Sequence, residues 1–140
     1  MVGKTISEMK VGDFAEFAKT VSETDVYLYA GITGDFNPAH LNQAYAERTF
    51  FKTRIAHGML TAGFISTILG TKLPGPGTIY LKQSLAFLAP VRIGDTITAR
   101  AEIIELNAEK SRVRFKTTCV NQEGKTVLDG EAEVMPPKEK

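Results

Sequence analysis

The chain has 140 residues, enough for one domain that buries about two-thirds of the surface its unfolded form exposes, with no need of a second. Its 17 Lys and Arg against 16 Asp and Glu leave a formal charge of +1, too even for a sequence-blind grip on nucleic acid, which needs a concentrated basic field. The single cysteine, Cys119, excludes an internal disulfide and a multi-cysteine metal site and fits a reducing compartment.

The first dozen residues mix charge and glycine and contain no apolar segment of the kind that directs secretion, so the chain reads as cytoplasmic. Phe14 to Thr20 reads as an opening strand. Ser22-Glu-Thr-Asp25 matches a capping box with the short acid in place of Glu, so a helix is expected from there to about Thr33, where Gly34 stops it. The stretch GDFNPAH, Gly34 to His40, follows. Proline at 38 pushes Asn37 out of the helical region, so this segment is expected to turn, and a turn can bring Asp35 and His40 together where a straight helix would hold them apart. Asn42 is expected to cap a short helix to about Arg48.

A longer helix is expected from Gly58. Met59, Ala62, Phe64, Ile65, Ile68 and Leu69 put apolar groups around most of its circumference, the pattern of a buried helix. Its most apolar run, Met59 to Gly70, is too short to span a bilayer. Pro74-Gly-Pro-Gly77 ends it in a loop. Period-two alternation then takes over. Ile97, Ala99, Ala101 and Ile103 share one face, as do Val113, Phe115, Thr117 and Cys119. With Tyr80 to Leu88, Thr126 to Val134 and a hairpin loop at Asn121 to Gly124, this gives a single α+β domain over residues 1–140, an antiparallel sheet packed on the buried helix.

The residues able to do chemistry are few. Asp35 and His40 either satisfy local backbone groups in a turn or form an acid–base pair. His57 stands at the start of the buried helix, where unpaired amides carry the positive end of the dipole; it reads as a residue that orients the loop rather than one that transfers protons. Gly58 beside it would let a carbonyl approach the backbone, so that the helix start could hold an oxyanion. The Asn37 amide either serves the turn or reaches a water or substrate group. Ser66, two helical turns on, either bonds its own helix or steadies a histidine. No Gly-x-Ser-x-Gly elbow, dinucleotide fingerprint, Walker loop or His-Glu-x-x-His pattern occurs, and no metal site is expected. Cys119 falls on the apolar face of a strand and reads as a small core residue.

Gly34-Asp-Phe-Asn-Pro-Ala-His-Leu41, followed by His57-Gly-Met59 and then Ile79-Tyr-Leu-Lys-Gln-Ser-Leu85, resembles the MaoC-like family of (R)-specific enoyl-CoA hydratases over nearly the whole chain. That resemblance implies a hot-dog fold, an antiparallel sheet wrapped around one long helix. It also implies Asp35 and His40 as the catalytic pair, the Gly58 amide as oxyanion donor and Ser66 as a supporting serine. The implied substrate is an acyl-CoA thioester and no separate cofactor is needed. A homodimer joined through sheet edges is expected, with no membrane or nucleic-acid partner. Supply of polyhydroxyalkanoate precursors and fatty-acid breakdown both fit. Fold alone leaves open an acyl-CoA thioesterase or a non-catalytic acyl-binding subunit.

Overall fold

The computed structural model describes all of residues 1–140. After a 3₁₀ turn at Ile6–Glu8, the chain forms β1 (Phe14–Thr20), α1 (Glu23–Thr33), α2 (Pro38–Leu41), α3 (Gln43–Ala46) and α4 (Gly58–Thr71). Five strands follow: β2 (Ile79–Gln83), β3 (Ala86–Phe87), β4 (Thr96–Asn107), β5 (Arg112–Val120) and β6 (Thr126–Met135). They join β1 in one antiparallel sheet ordered β1-β4-β5-β6-β2, with β3 pairing β6. The hairpin from β5 to β6 turns at Asn121–Gly124, where Gly124 N–H donates to Asn121 O at 3.0 Å. No helix is long and apolar enough to cross a membrane.

The alternation places the core. Ile97, Ala99, Ala101 and Ile103 of β4 are fully buried, as are Val113, Phe115, Thr117 and Cys119 of β5. Against them α4 sets Leu60, Phe64, Ile65, Ile68 and Leu69, all buried. Apolar contact on this scale makes truncation at a position such as Ile65 cost about 2–5 kcal/mol. Cys119 lies in that core, and burial pushes its thiol up to about 12, so it remains an unreactive SH group.

Four local expectations are corrected. Tyr80 to Leu88 is not one strand: it breaks at Ser84, whose hydroxyl accepts the Glu131 N–H at 2.9 Å while its own N–H donates to Glu131 O at 2.9 Å. A Cβ on Gly130 would lie 1.8 Å from the Ser84 carbonyl oxygen, so glycine is what lets the two strands cross here. The segment after Asn37 is a one-turn helix rather than a bare turn. Proline at its first position has no N–H to leave unpaired, and Asn37 Oδ1 accepts from Ala39 N at 3.0 Å. Finally, α4 is not buried all round. Met59, Gly63, Ser66 and Gly70, at helical spacing, form an exposed stripe, because the sheet covers the helix from one side only. The helix capped by Asn42 also ends at Ala46, short of Arg48.

α1 runs as expected, with Ser22 Oγ accepting from Asp25 N at 3.1 Å and Gly34 ending it at φ 82° in the left-handed region. Gly130→Ala is expected to lower stability by about 1–3 kcal/mol through the forced clash. Gly31→Ala, on the exposed side of α1 with nothing within 4 Å of a new Cβ, should raise it by about 0.5–1 kcal/mol. Urea unfolding midpoints of the two variants check both signs.

Candidate active site

Two chain segments make the site, and three hydrogen bonds join them. Ile55 N–H donates to Ala39 O at 3.3 Å. The His40 ring returns the link, Nδ1 donating to Ile55 O at 2.7 Å. The His57 ring, at the cap of α4, donates from Nε2 to the Asp35 carbonyl at 3.0 Å. The second segment is itself held against the chain following β3, through Ala56 N–H to Val91 O at 2.7 Å. Asp35 is thereby brought over His40, with a carboxylate oxygen and one nitrogen of each histidine all within 4.8 Å of one another.

A carbonyl oxygen can only accept, so the bond to Ile55 fixes the His40 tautomer: the proton sits on Nδ1 and the Nε2 lone pair is free. His40 is 9% exposed. Burial is the main cause that pushes its pKa below the usual 6.5, and neighbouring His57 adds to this, while the Ile55 carbonyl and Asp35 work against it. The ring is therefore an uncharged base at neutral pH. Asp35 is exposed toward the opening, and its Oδ1 accepts the Asn37 N–H at 3.2 Å.

A cavity of about 540 Å³ opens beside this pair. Asp35, His40 and His57 form its polar corner, and Tyr29, Phe51, Phe87 and Val91 are among its apolar walls. Gly58 is on the lining as the first residue of α4. The Gly58 and Met59 amides have no backbone acceptor, and His57 offers no side-chain cap, so these two are free to bind a developing negative charge in the cavity, while the Leu60 N–H donates to His57 O at 3.0 Å. A Cβ at 58 would lie 2.6 Å from the Phe87 ring, so glycine also allows that ring to close flat against the helix start.

Four of the six residues singled out in the sequence, Asp35, His40, His57 and Gly58, thus share one wall. The other two are not on that wall. Asn37 spends its side-chain oxygen as the cap of α2. Ser66 lies on the exposed stripe of α4 and lines a separate cavity of about 490 Å³ with Ala62, Tyr80 and Gln83, sharing only Met59 with the first. It does not steady a histidine within the chain; the premise of a buried hydroxyl fails because that side of the helix is uncovered.

The apolar walls were missed. Phe50-Phe51 in an otherwise polar loop is a signal that could have pointed to them, but only the Ile55–Arg92 bridge shows which second segment they face. The His40 and His57 rings stack with centroids 3.9 Å apart and 31° between planes, and His57 Nδ1 is buried with no hydrogen-bond partner.

The MaoC like domain family matches residues 8–126. An (R)-specific enoyl-CoA hydratase of Rhodospirillum rubrum is 60% identical over 130 residues, covering 93% of this chain and 90% of its own. A 3-hydroxybutyryl-CoA dehydratase of Methylorubrum extorquens is 52% identical, over 94% of this chain and 83% of its own. Among solved structures, an unliganded R-hydratase from Pseudomonas aeruginosa superposes with a TM-score of 0.93 at 49% identity, covering 98% of this chain and 88% of its own. The (R)-hydratase from Aeromonas caviae involved in PHA biosynthesis gives 0.90 at 41%, over 92% and 98%. These neighbours are hot-dog proteins, and the six-stranded sheet with α4 on one face is that fold.

Since the folded chain holds His40 uncharged and the unfolded chain does not, acidification below the ordinary 6.5 protonates the unfolded state first. Stability is expected to fall as pH drops through that value toward the folded pKa, and to be flat with respect to His40 above it. Imidazole resonances followed by NMR across this range should show His40 titrating below 6.5 in the folded protein.

Proposed function

Because the chain belongs to the MaoC-like domain family, we propose that it is an (R)-specific enoyl-CoA hydratase, adding water reversibly across a trans-2-enoyl-CoA to give an (R)-3-hydroxyacyl-CoA. The observation that carries the reading is a neutral imidazole, its lone pair fixed by the Ile55 carbonyl, beside a carboxyl group at the polar end of an apolar cavity that begins at a helix start.

Hydration of a conjugated thioester needs a base for water as it attacks the β-carbon, a proton for the α-carbon, and a donor for the carbonyl oxygen as it gains enolate charge. His40 Nε2 takes the proton of the attacking water. His40 passes that proton across their short separation to the Asp35 carboxylate, which delivers it to the α-carbon, leaving both groups as they began. The Gly58 N–H holds the enolate oxygen while charge is on it. Each proton-transfer group is worth about 10²- to 10⁴-fold and an oxyanion donor about 10²- to 10³-fold. His57 holds the Asp35 backbone in place and does not touch the reacting atoms. The thioester acidifies its own α-proton, so the scheme calls for no separate cofactor or metal.

The protein acts, in this reading, as a cytoplasmic homodimer. The support is the apolar edge it leaves open: Ile79, Tyr80 and Leu81 of edge strand β2 and Met59 of α4 are all exposed, and an uncovered apolar edge strand invites pairing with a second copy. No basic field or membrane-spanning helix suggests a nucleic acid or a bilayer as partner.

Crotonyl-CoA mixed with the protein should lose the ultraviolet absorbance of its conjugated thioester without release of free thiol. Thiol release would favour a thioesterase, and thermal stabilisation by acyl-CoA with neither change a binding subunit. Asp35→Asn and His40→Ala should each reduce kcat by about 10²- to 10⁴-fold with circular dichroism unchanged. Near-normal turnover by either would remove the assigned pair.

A further inference from the structure

An acyl-CoA carries its charge at the nucleotide end, remote from the thioester, and the cavity mouth has an unclaimed feature that matches it. Phe50 lines the cavity yet is 90% exposed, with only Phe51 edge-on to it at 5.8 Å. Arg48 and Lys52 flank it in sequence. Arg92 directly follows the lining residues Pro90 and Val91, and its backbone pairs with Ile55. The lining segments 50–55 and 88–91 therefore lie side by side at the cavity, with Arg48, Lys52 and Arg92 on or next to them in the chain.

These three cations are free. None forms an ion pair, whereas Arg54, on the same loop, is held by Glu23 at 2.7 Å and by the Tyr27 hydroxyl at 2.9 Å. The acids close by in sequence have other bonds: Glu47 accepts from Gln43 Nε2, and Asp95 accepts the Arg92 N–H and the Gln122 amide. Lys52 also holds a φ of 65°, a left-handed conformation that glycine adopts at lower cost. A cation kept at a strained position, beside an exposed flat ring, is an outlier that points to use.

We propose that Arg48, Lys52 and Arg92, with the Phe50 ring between them, seat the adenosine bisphosphate end of the thioester, the ring stacking on adenine and the cations pairing with the phosphates. This rests on the acyl-CoA reading and adds to it the part of the substrate that the catalytic residues never touch. Binding energy from a remote group acts on KM when it is equal in ground and transition states.

The test compares crotonyl-CoA with crotonyl-pantetheine, which lacks the nucleotide, for wild type, Phe50→Ala, Lys52→Gly and the triple variant Arg48→Ala/Lys52→Gly/Arg92→Ala. The triple variant should raise KM for crotonyl-CoA by about tenfold or more with kcat unchanged, and alter neither constant for the pantetheine thioester. Phe50→Ala, at a residue that also lines the cavity, should raise KM for crotonyl-CoA by more than it raises KM for the pantetheine thioester. Added salt should raise the wild-type KM for crotonyl-CoA only, because exposed ion pairs are screened. Lys52→Gly should melt no lower than wild type, which separates lost binding from lost folding. An unchanged KM for crotonyl-CoA, an equal loss on both substrates, or a wild type that treats the two alike overturns the proposal. So does a triple variant impaired only with an acyl-carrier-protein thioester. If no enoyl thioester turns over, the hydratase reading fails by itself. Calorimetric titration with adenosine 3′,5′-bisphosphate still decides the seat, which requires binding by wild type and its loss in the triple variant.

Discussion

One hydrogen bond, from His40 Nδ1 to the Ile55 carbonyl at 2.7 Å, fixes the tautomer on which the proposed chemistry depends. It decides which imidazole nitrogen has a proton to give and which has a lone pair to offer. It also turns the ring toward the cavity, because a donor held on one side leaves Nε2 on the other. A histidine on a one-turn helix would otherwise have little to hold its orientation, since Pro38–Leu41 is too short to be stable alone. The reciprocal bond from Ile55 N–H to Ala39 O and that from His57 to the Asp35 carbonyl make the short helix part of a braced pair of segments. The site is thus positioned by backbone carbonyls, whose places are fixed by the fold, instead of by mobile side chains.

The sheet and α4 supply what this arrangement needs from the rest of the molecule. Burial of Ile65, Ile68 and Leu69 against β4 and β5 fixes the helix axis, and so fixes where its first amides point. The same helix carries His57 at its cap, so the proposed oxyanion donor, the Gly58 amide, and the brace on Asp35 belong to one element. Polar chemistry is confined to one corner of a cavity whose walls are otherwise apolar. In the proposed reaction such walls would favour exclusion of water from the enolate, and a hydrogen bond in an apolar setting is worth more than it would be in water.

Much of this could be read from the sequence, for identifiable reasons. Period-two alternation named the inward residues of β4 and β5 because a half-wet strand imposes it on every position. The capping box at Ser22 and the glycine at 34 bounded α1 because caps are local chemistry. Asp35, His40, His57 and Gly58 could be picked out as the chain's few candidates for chemistry, but local turn and cap roles explained them equally well until the family resemblance joined them. What escaped depended on contacts distant in sequence. Ser84 breaks the β2–β3 strand because of Gly130, forty-six residues away. The exposed stripe through Ser66 reflects which side of α4 the sheet leaves bare. The walls contributed by Phe87 and Val91 reach the site only through pairing that no local pattern encodes.

The most direct measurement is the tautomer of His40, read from long-range ¹H–¹⁵N correlations of the two imidazoles in the free protein at neutral pH. The account predicts an uncharged His40 protonated on Nδ1, with Nε2 showing the chemical shift of a bare lone pair. A ring protonated on Nε2, or on both nitrogens, would leave no base facing the cavity and would contradict it.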